Sequence, residues 1–127
     1  MEQYLIDTNV ISGYLSSALS EKSMLFIDGI IDLVPNLSVI TQIELLSWNA
    51  SEEIEKKVED FIVDSNVLNI SPEIIKHCAS LRKKRKIKTP DAIIAATALA
   101  YGFILVTNNE GDFSNIKGLK LISPRSL

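Results

Sequence analysis

The chain has very little of several features that define common protein classes. Its 127 residues include one cysteine, one histidine and five glycines, and only 6% of them are aromatic. A single cysteine excludes an internal disulfide and a zinc site built from several cysteines. The sequence contains neither the G-x-G-x-x-G pattern of dinucleotide-binding sites nor the P-loop pattern of nucleoside-triphosphate sites, which argues against both kinds of site. The scarcity of aromatic residues also limits any recognition of nucleic acid by base stacking.

Long apolar runs and leader patterns are absent as well. No stretch approaches the roughly 18 consecutive apolar residues that a membrane-spanning helix needs. The N-terminus has no signal-peptide pattern, so we expect the protein to stay in the cytoplasm. At 127 residues, of which 46% are hydrophobic, the chain is long enough and apolar enough to bury a substantial core. We therefore expect one domain over residues 1–127.

Short apolar runs alternate with segments of helical periodicity. This alternation predicts an α/β fold, with a mainly parallel central sheet of four to five strands flanked by helices. The strands are expected over residues 4–6, 37–40, 67–70, 103–106 and, less regularly, 119–122. N-cap residues suggest where helices begin, and they are Ser20, Thr41, Ser51, Ser71 and Thr89. The helix of residues 92–101 is apolar nearly all round, which predicts burial in the core or in a subunit contact.

Four acidic residues follow predicted strands or open a predicted helix in otherwise apolar surroundings. They are Asp7, Glu44, Asp91 and Asp112. The carboxyl ends of parallel strands lie at one edge of a sheet, so acids that follow different strands can converge there. Each acid taken singly is explained as well by a helix cap or a surface charge. The four together favour a shared site.

Clustered carboxylates repel one another. At about 4 Å, each pair of unit charges costs roughly 1 kcal/mol in water and about 4 kcal/mol at an effective dielectric constant near 20. A hard divalent cation removes this cost, and Mg²⁺ or Mn²⁺ takes such oxygen ligands while keeping bound waters. Such a metal activates water and neutralises charge in phosphoryl chemistry, with one carboxylate as general base. We expect Thr8, Asn9, Thr107 and Asn108 to orient the ligands from behind.

The segments that carry these acids resemble the four motifs of PIN-domain proteins, above all the VapC-type toxins of bacterial toxin–antitoxin pairs. The segments are residues 5–10 (LIDTNV), 41–46 (TQIELL), 90–98 (PDAIIAATA) and 105–113 (LVTNNEGDF). They occur in order and span nearly the whole chain. The resemblance implies a single PIN-like domain with a parallel sheet, and a ribonuclease that depends on Mg²⁺ or Mn²⁺. It also implies products with a 5′-phosphate and a 3′-hydroxyl, an antitoxin partner and a homodimer.

Matched by motif, the metal-site and catalytic positions fall on Asp7, Glu44, Asp91 and Asp112. The fourth motif departs from the family pattern, because relatives often have an acid where this chain has Asn109. Asp112 is the predicted fourth ligand because Phe113 anchors it, whereas Glu110 is expected to face solvent.

A dense basic run lies just before the third acid. The net charge of −3 argues against general affinity for nucleic acid, yet six of the 13 basic residues lie between positions 82 and 88. One interpretation is a solvated helix end, where cations suit the helix dipole. The other is a surface that binds the RNA backbone or an acidic antitoxin tail. The expected RNA-binding residues are Arg82, Lys83, Arg85, Lys86 and Lys88.

Two alternatives remain open. An aspartate after the first strand is also typical of haloacid-dehalogenase-like phosphatases, but these need a second aspartate where this chain has Asn9. They also need a later lysine after a strand, which is missing. The other alternative is a catalytically inactive PIN-like module that binds protein or RNA, and the presence of all four acids argues against it.

Overall fold

Five short strands and seven α-helices make up residues 2–127, the range that the computed structural model describes. The strands are β1 (Tyr4–Ile6), β2 (Asn36–Ser38), β3 (Asn66–Leu68), β4 (Ile104–Val106) and β5 (Lys120–Ile122). The helices are α1 (Thr8–Leu15), α2 (Glu21–Ile31), α3 (Val39–Leu46), α4 (Glu52–Val63), α5 (Pro72–Lys84), α6 (Thr89–Tyr101) and α7 (Glu110–Phe113), and a 3₁₀ turn covers Pro124–Ser126. The predicted α/β fold with a parallel sheet flanked by helices is confirmed.

All neighbouring strands run parallel, in the order β3-β2-β1-β4-β5. The first strand is therefore central. From it the chain builds outward to β2 and β3 on one side, and later to β4 and β5 on the other. The order reverses between β1 and β4, which makes the crevice at their carboxyl ends the place where open α/β sheets bind ligands.

The two faces of the sheet bury separate cores, because alternate residues of a strand point to opposite faces. Ile6 and Val106 belong to a cluster formed with α1 to α4, whereas Leu5 and Leu105 belong to a cluster formed with α5 to α7. Helix α6 lies in this second core and has six buried residues, so its apolar surface is explained within one subunit. Within residues 2–127, no helix is both long and apolar enough to cross a membrane.

Several helix ends follow their predicted signals. The hydroxyl oxygens of Ser20, Ser51 and Ser71 each accept a hydrogen bond from the backbone N–H three residues on, as N-cap residues do. Gly102 ends α6 with φ of +71°, a left-handed conformation that glycine adopts without strain. These signals are local in sequence, which explains why they could be recognised.

Two predicted helix starts were wrong. Helix α3 begins at Val39, inside the expected strand, because the hydroxyl of Ser38 accepts from the N–H of Ile40 at 3.1 Å and caps the helix earlier than Thr41. Helix α6 begins at Thr89 itself, with Lys88 at the N-cap and no side-chain cap. The start of α3 is therefore set by a local side-chain cap that lies three residues before the expected one.

Candidate active site at the carboxyl ends of β1 and β4

Asp7 is the buried acid of the site and directly follows β1. Only 4% of its surface is exposed. One carboxylate oxygen, Oδ1, accepts from the N–H of Thr8 at 2.8 Å, so Asp7 is also the N-cap of α1. The other, Oδ2, accepts from Asn9 Nδ2 at 2.9 Å and from Thr107 Oγ1 at 2.8 Å. Asp7 therefore both caps α1 and belongs to the candidate site, and its carboxylate is held by residues that follow β1 and β4.

Glu44 approaches Asp7 from α3. Because α3 begins at Val39, Glu44 lies more than one turn into the helix, farther from the strand than the sequence indicated. Its side chain is exposed, and its Oε1 accepts from the hydroxyl of Thr8 at 2.5 Å. That hydroxyl also lies 3.1 Å from the hydroxyl of Thr41. Thr8 thus connects the first and second predicted motifs.

The third and fourth acids come from the opposite side of the sheet. Asp91 lies in the first turn of α6 and is half-buried. Asp112 is exposed on α7, a single helical turn that follows β4. Its neighbour Phe113 is 1% exposed and anchors the segment, and Glu110 is exposed, as predicted for both.

Repulsion between neighbouring acids contributes to the pKa values of Asp7 and Asp91. Burial raises the pKa of Asp7 above its ordinary 3.8, hydrogen bonds from Thr107 and Thr8 oppose this, and repulsion by Asp91 and Glu44 adds to it. Burial likewise raises the pKa of Asp91, and repulsion by Asp112 and Glu44 adds to it, while Lys88 lowers it. The carboxylates therefore form one negatively charged centre.

The donor set suits a hard divalent cation, although the side chains are not gathered around one point. Among residues 2–127, no three His, Cys, Asp or Glu side chains are grouped closely enough to hold a metal ion. Both oxygens of Asp7 and one oxygen of Glu44 are engaged by hydrogen-bond donors instead. All four predicted ligands are nevertheless carboxylates, and a cation among them would relieve the repulsion that raises the pKa of Asp7 and Asp91.

The segment after β4 completes the support of Asp7. Thr107 is fully buried, and its hydroxyl also accepts from the N–H of Asn109 at 3.0 Å. The N–H of Asn108 donates to Oδ1 of Asn9 at 3.2 Å. Of the four residues expected to orient the acids, Thr8, Asn9 and Thr107 contact Asp7 directly, and Asn108 contacts it through Asn9.

The basic run lines a groove that leads to two of the acids. The groove has a volume of about 680 Å³, and its walls include Arg82, Lys86, Lys88, Asp91 and Asp112. Cationic side chains therefore adjoin the acidic centre, and among residues 2–127 none of them forms an ion pair with the four acids. Lys83, by contrast, is exposed on the last turn of α5 and does not line the groove.

Arg85 has a structural task that the sequence did not indicate. Its Nη1 donates to the carbonyl oxygen of Ser114 at 2.7 Å, and its Nη2 lies 3.5 Å from the carbonyl oxygen of Asp112. The guanidinium thus ties the end of α5 to the segment that carries the fourth acid. Planar guanidinium groups suit such two-point contacts, and no local pattern in the sequence announces them.

A protein-family model for the PIN domain matches residues 4–119. The chain belongs to the PIN-domain family. The match includes all four predicted motifs, and the PIN fold agrees with the sheet order and flanking helices described above. No curated protein matches the sequence significantly.

Solved structures similar to this PIN domain include toxin–antitoxin complexes. One is a toxin–antitoxin complex from Klebsiella pneumoniae, with 29% identity, coverage of 96% of this chain and 98% of that chain, and a TM-score of 0.75. Another is DNA-bound VapBC from Salmonella typhimurium, with 25% identity, 98% and 99% coverage, and a TM-score of 0.80. FitAcB from Neisseria gonorrhoeae, at 22% identity, 98% and 100% coverage and a TM-score of 0.79, shares the fold. The predicted resemblance to VapC-type PIN proteins is confirmed.

Proposed function

We propose that this PIN domain is a metal-dependent endoribonuclease that acts as the toxin of a toxin–antitoxin pair. The observation that carries the proposal is the acidic centre at the carboxyl ends of β1 and β4. There burial raises the pKa of Asp7 and of Asp91, and repulsion by the neighbouring acids adds to both. Buried carboxylates that repel one another are common where a cation or a proton transfer uses them. Membership of the PIN family and the similar toxin–antitoxin structures support the same function.

The four carboxylates would hold Mg²⁺ or Mn²⁺, and the bound ion would supply Lewis-acid stabilisation of the phosphate and activation of water. The chain's own residues orient the site. Asn9 and Thr107 fix Oδ2 of Asp7, and Thr8 positions Glu44. One of the four carboxylates would act as the general base or orient the attacking water.

RNA is the proposed substrate because the groove beside the acids is cationic. Arg82, Lys86 and Lys88 line it together with Asp91 and Asp112, so phosphates bound by the first three lie next to the acids. Such contacts position a nucleic acid without reading its sequence. Arg85 also lines the groove, in addition to holding the segment of Asp112, whereas Lys83 is exposed on α5 and does not line it.

An antitoxin partner is proposed to cover the acidic edge. Ile43 and Leu46, which flank Glu44 on α3, are 55% and 59% exposed. Apolar side chains beside a charged site are typical of a surface that another protein covers. A homodimer remains a proposal, supported by Ile70 and Ile75, which are 44% and 57% exposed beside an apolar groove of about 400 Å³.

The deciding experiment incubates purified, antitoxin-free protein with total RNA in Mg²⁺, in Mn²⁺ or in EDTA, and then maps the cut ends. We expect cleavage with either metal, none in EDTA, and none by Asp7→Asn with its fold retained. Undiminished cleavage in EDTA would contradict the proposal. For the partners, light scattering at micromolar concentration tests the dimer, and a co-encoded small protein should bind and inhibit.

An inactive PIN-like binding module is the second candidate. It is favoured by one observation, namely that no three carboxylates of residues 2–127 are grouped around a common point. The same experiment separates the two functions. RNA that is bound but remains intact with every metal, in the wild type and in Asp7→Asn alike, would identify the binding module.

A further inference from the structure

The single turn α7 carries the fourth acid, Asp112, yet the turn is intrinsically weak. It has four residues, and a helix of that length is not stable on its own. Its N-cap, Asn109, makes no side-chain cap hydrogen bond, and Gly111 within it is a poor helix former. The place of the Asp112 carboxylate therefore depends on contacts between this turn and the rest of the fold.

Two anchors fix the turn. The first is apolar, because Phe113 is 1% exposed and belongs to the core on the side of the sheet that α5 and α6 cover. The second is Arg85, whose Nη1 donates to the carbonyl oxygen of Ser114 at 2.7 Å and whose Nη2 lies 3.5 Å from the carbonyl oxygen of Asp112. The guanidinium thus holds the backbone on both sides of the apolar anchor, which a single buried ring cannot do.

Arg85 is committed to these carbonyl groups rather than to a carboxylate. It is the C-cap of α5, has an extended backbone and is half-buried. Within residues 2–127, no carboxylate lies within 4.0 Å of its guanidinium, although it lines the same groove as Asp91 and Asp112. Burial of a cation is costly unless hydrogen bonds compensate it. Here the compensation comes from the C-terminal end of α7, where carbonyl groups lack partners within the helix.

We propose that Arg85 is a positioning residue for the metal site, and that it acts by holding α7 so that the Asp112 carboxylate lies beside the other acids. The inference rests on the proposed metal-dependent function, and it assigns the effect to the planar fork of Arg85 and not to its charge. Asp112 is close enough to matter, since after burial its repulsion is the main cause of the raised pKa of Asp91. Groups that orient a metal ligand from behind are usually worth about 10- to 100-fold in metal affinity.

Charge and positioning predict opposite effects on metal binding. Arg85 is a cation beside the acidic centre, so its charge alone opposes the binding of Mn²⁺, and its removal would tighten that binding. If Arg85 positions Asp112, its removal weakens Mn²⁺ binding even though a repulsive charge has gone. The direction of the change therefore distinguishes the two roles.

The test measures Mn²⁺ binding to the metal-free protein without RNA, by electron paramagnetic resonance, and the mobility of the α7 backbone by nuclear magnetic relaxation. Arg85→Met removes the charge and the fork but keeps an unbranched stem. We expect Mn²⁺ to bind about tenfold more weakly, and α7 to be more mobile before any metal is added.

Lys88→Met is the matched control, because it removes one positive charge from the same groove. Lys88 is exposed and acts on Asp91 through its charge, which lowers the pKa of that acid. Its side chain makes no cap hydrogen bond. We therefore expect Lys88→Met to bind Mn²⁺ as tightly as the wild type or more tightly, with the mobility of α7 unchanged.

Arg85→Lys keeps the charge but lacks the planar fork, so it should recover only part of the lost Mn²⁺ affinity. It also keeps the test decisive if Arg85→Met does not fold. Mn²⁺ binding as tight as in the wild type in either folded Arg85 variant, or an equal loss in Lys88→Met, would overturn the positioning role and leave the proposed function standing. A wild type that binds no Mn²⁺ and cuts no RNA would instead overturn the proposed function, and the positioning role with it.

Discussion

Thr107→Val is the substitution that most directly probes how the fold holds its buried acid. The side chain is fully buried, and its hydroxyl donates to Oδ2 of Asp7 at 2.8 Å. Hydrogen bonds to charged groups contribute about 1.5–3 kcal/mol. Since Asn9 still donates to the same oxygen, and since valine has no hydroxyl to desolvate, we expect a loss of about 1–2 kcal/mol. The second bond, from the N–H of Asn109, costs little to lose because water reaches that exposed residue.

The loss should depend on pH in a defined direction. The hydrogen bond from Thr107 lowers the pKa of Asp7 against the effect of burial, so its removal raises the pKa of the folded state further. A carboxyl whose pKa is higher folded than unfolded destabilises the protein at pH values above the folded pKa. The difference between wild type and variant is therefore largest at neutral pH. It shrinks as the pH falls through the raised pKa, because a protonated Asp7 needs only an ordinary neutral hydrogen bond.

Thr97→Val is the matched control. Thr97 is 1% exposed, and its hydroxyl donates to the carbonyl oxygen of Ile93 at 2.7 Å within α6. The chemical change is identical, but no carboxylate is involved, so we expect a loss below about 1 kcal/mol with no dependence on pH. Urea unfolding of both variants at neutral and acidic pH measures the difference. Equal losses for the two variants at neutral pH, or a Thr107→Val loss that does not change with pH, would refute the reasoning.

Three further predictions concern the acids and one strained residue. Asp112→Asn should lower the cleavage rate more than tenfold and weaken the response to Mn²⁺, whereas Glu110→Gln should change either very little. A Mn²⁺ titration of cleavage in both variants tests this, and a larger loss in Glu110→Gln would mean that Glu110 is the fourth carboxylate. Mn²⁺ at about 100 times its dissociation constant should stabilise the wild type by about 2.7 kcal/mol, seen as a rise in Tm that Asp91→Asn loses. Val34 is 57% exposed with φ of +61°, which costs a β-branched residue about 1–2 kcal/mol, so Val34→Asn should raise Tm, and an unchanged or lower Tm would contradict this.

Sequence alone determined the features that depend on neighbours along the chain. Serine residues before amphipathic runs marked the starts of α2, α4 and α5, and Gly102 marked the end of α6. The alternation of apolar runs and helical segments was enough to predict the parallel α/β fold, and the four acidic motifs were enough to predict the resemblance to the PIN family. These signals survive in the sequence because caps, periodicity and strand ends are local properties.

Tertiary structure decided how distant residues share their hydrogen bonds and charge. Only in the folded chain does Thr8 donate a hydrogen bond to Glu44, and only there does Arg85 donate to the segment that carries Asp112. The fold also brings Arg125 and Asn9 into the wall of one cavity. Contacts between residues far apart in sequence arise from the strand order, and the strand order is a property of the whole fold.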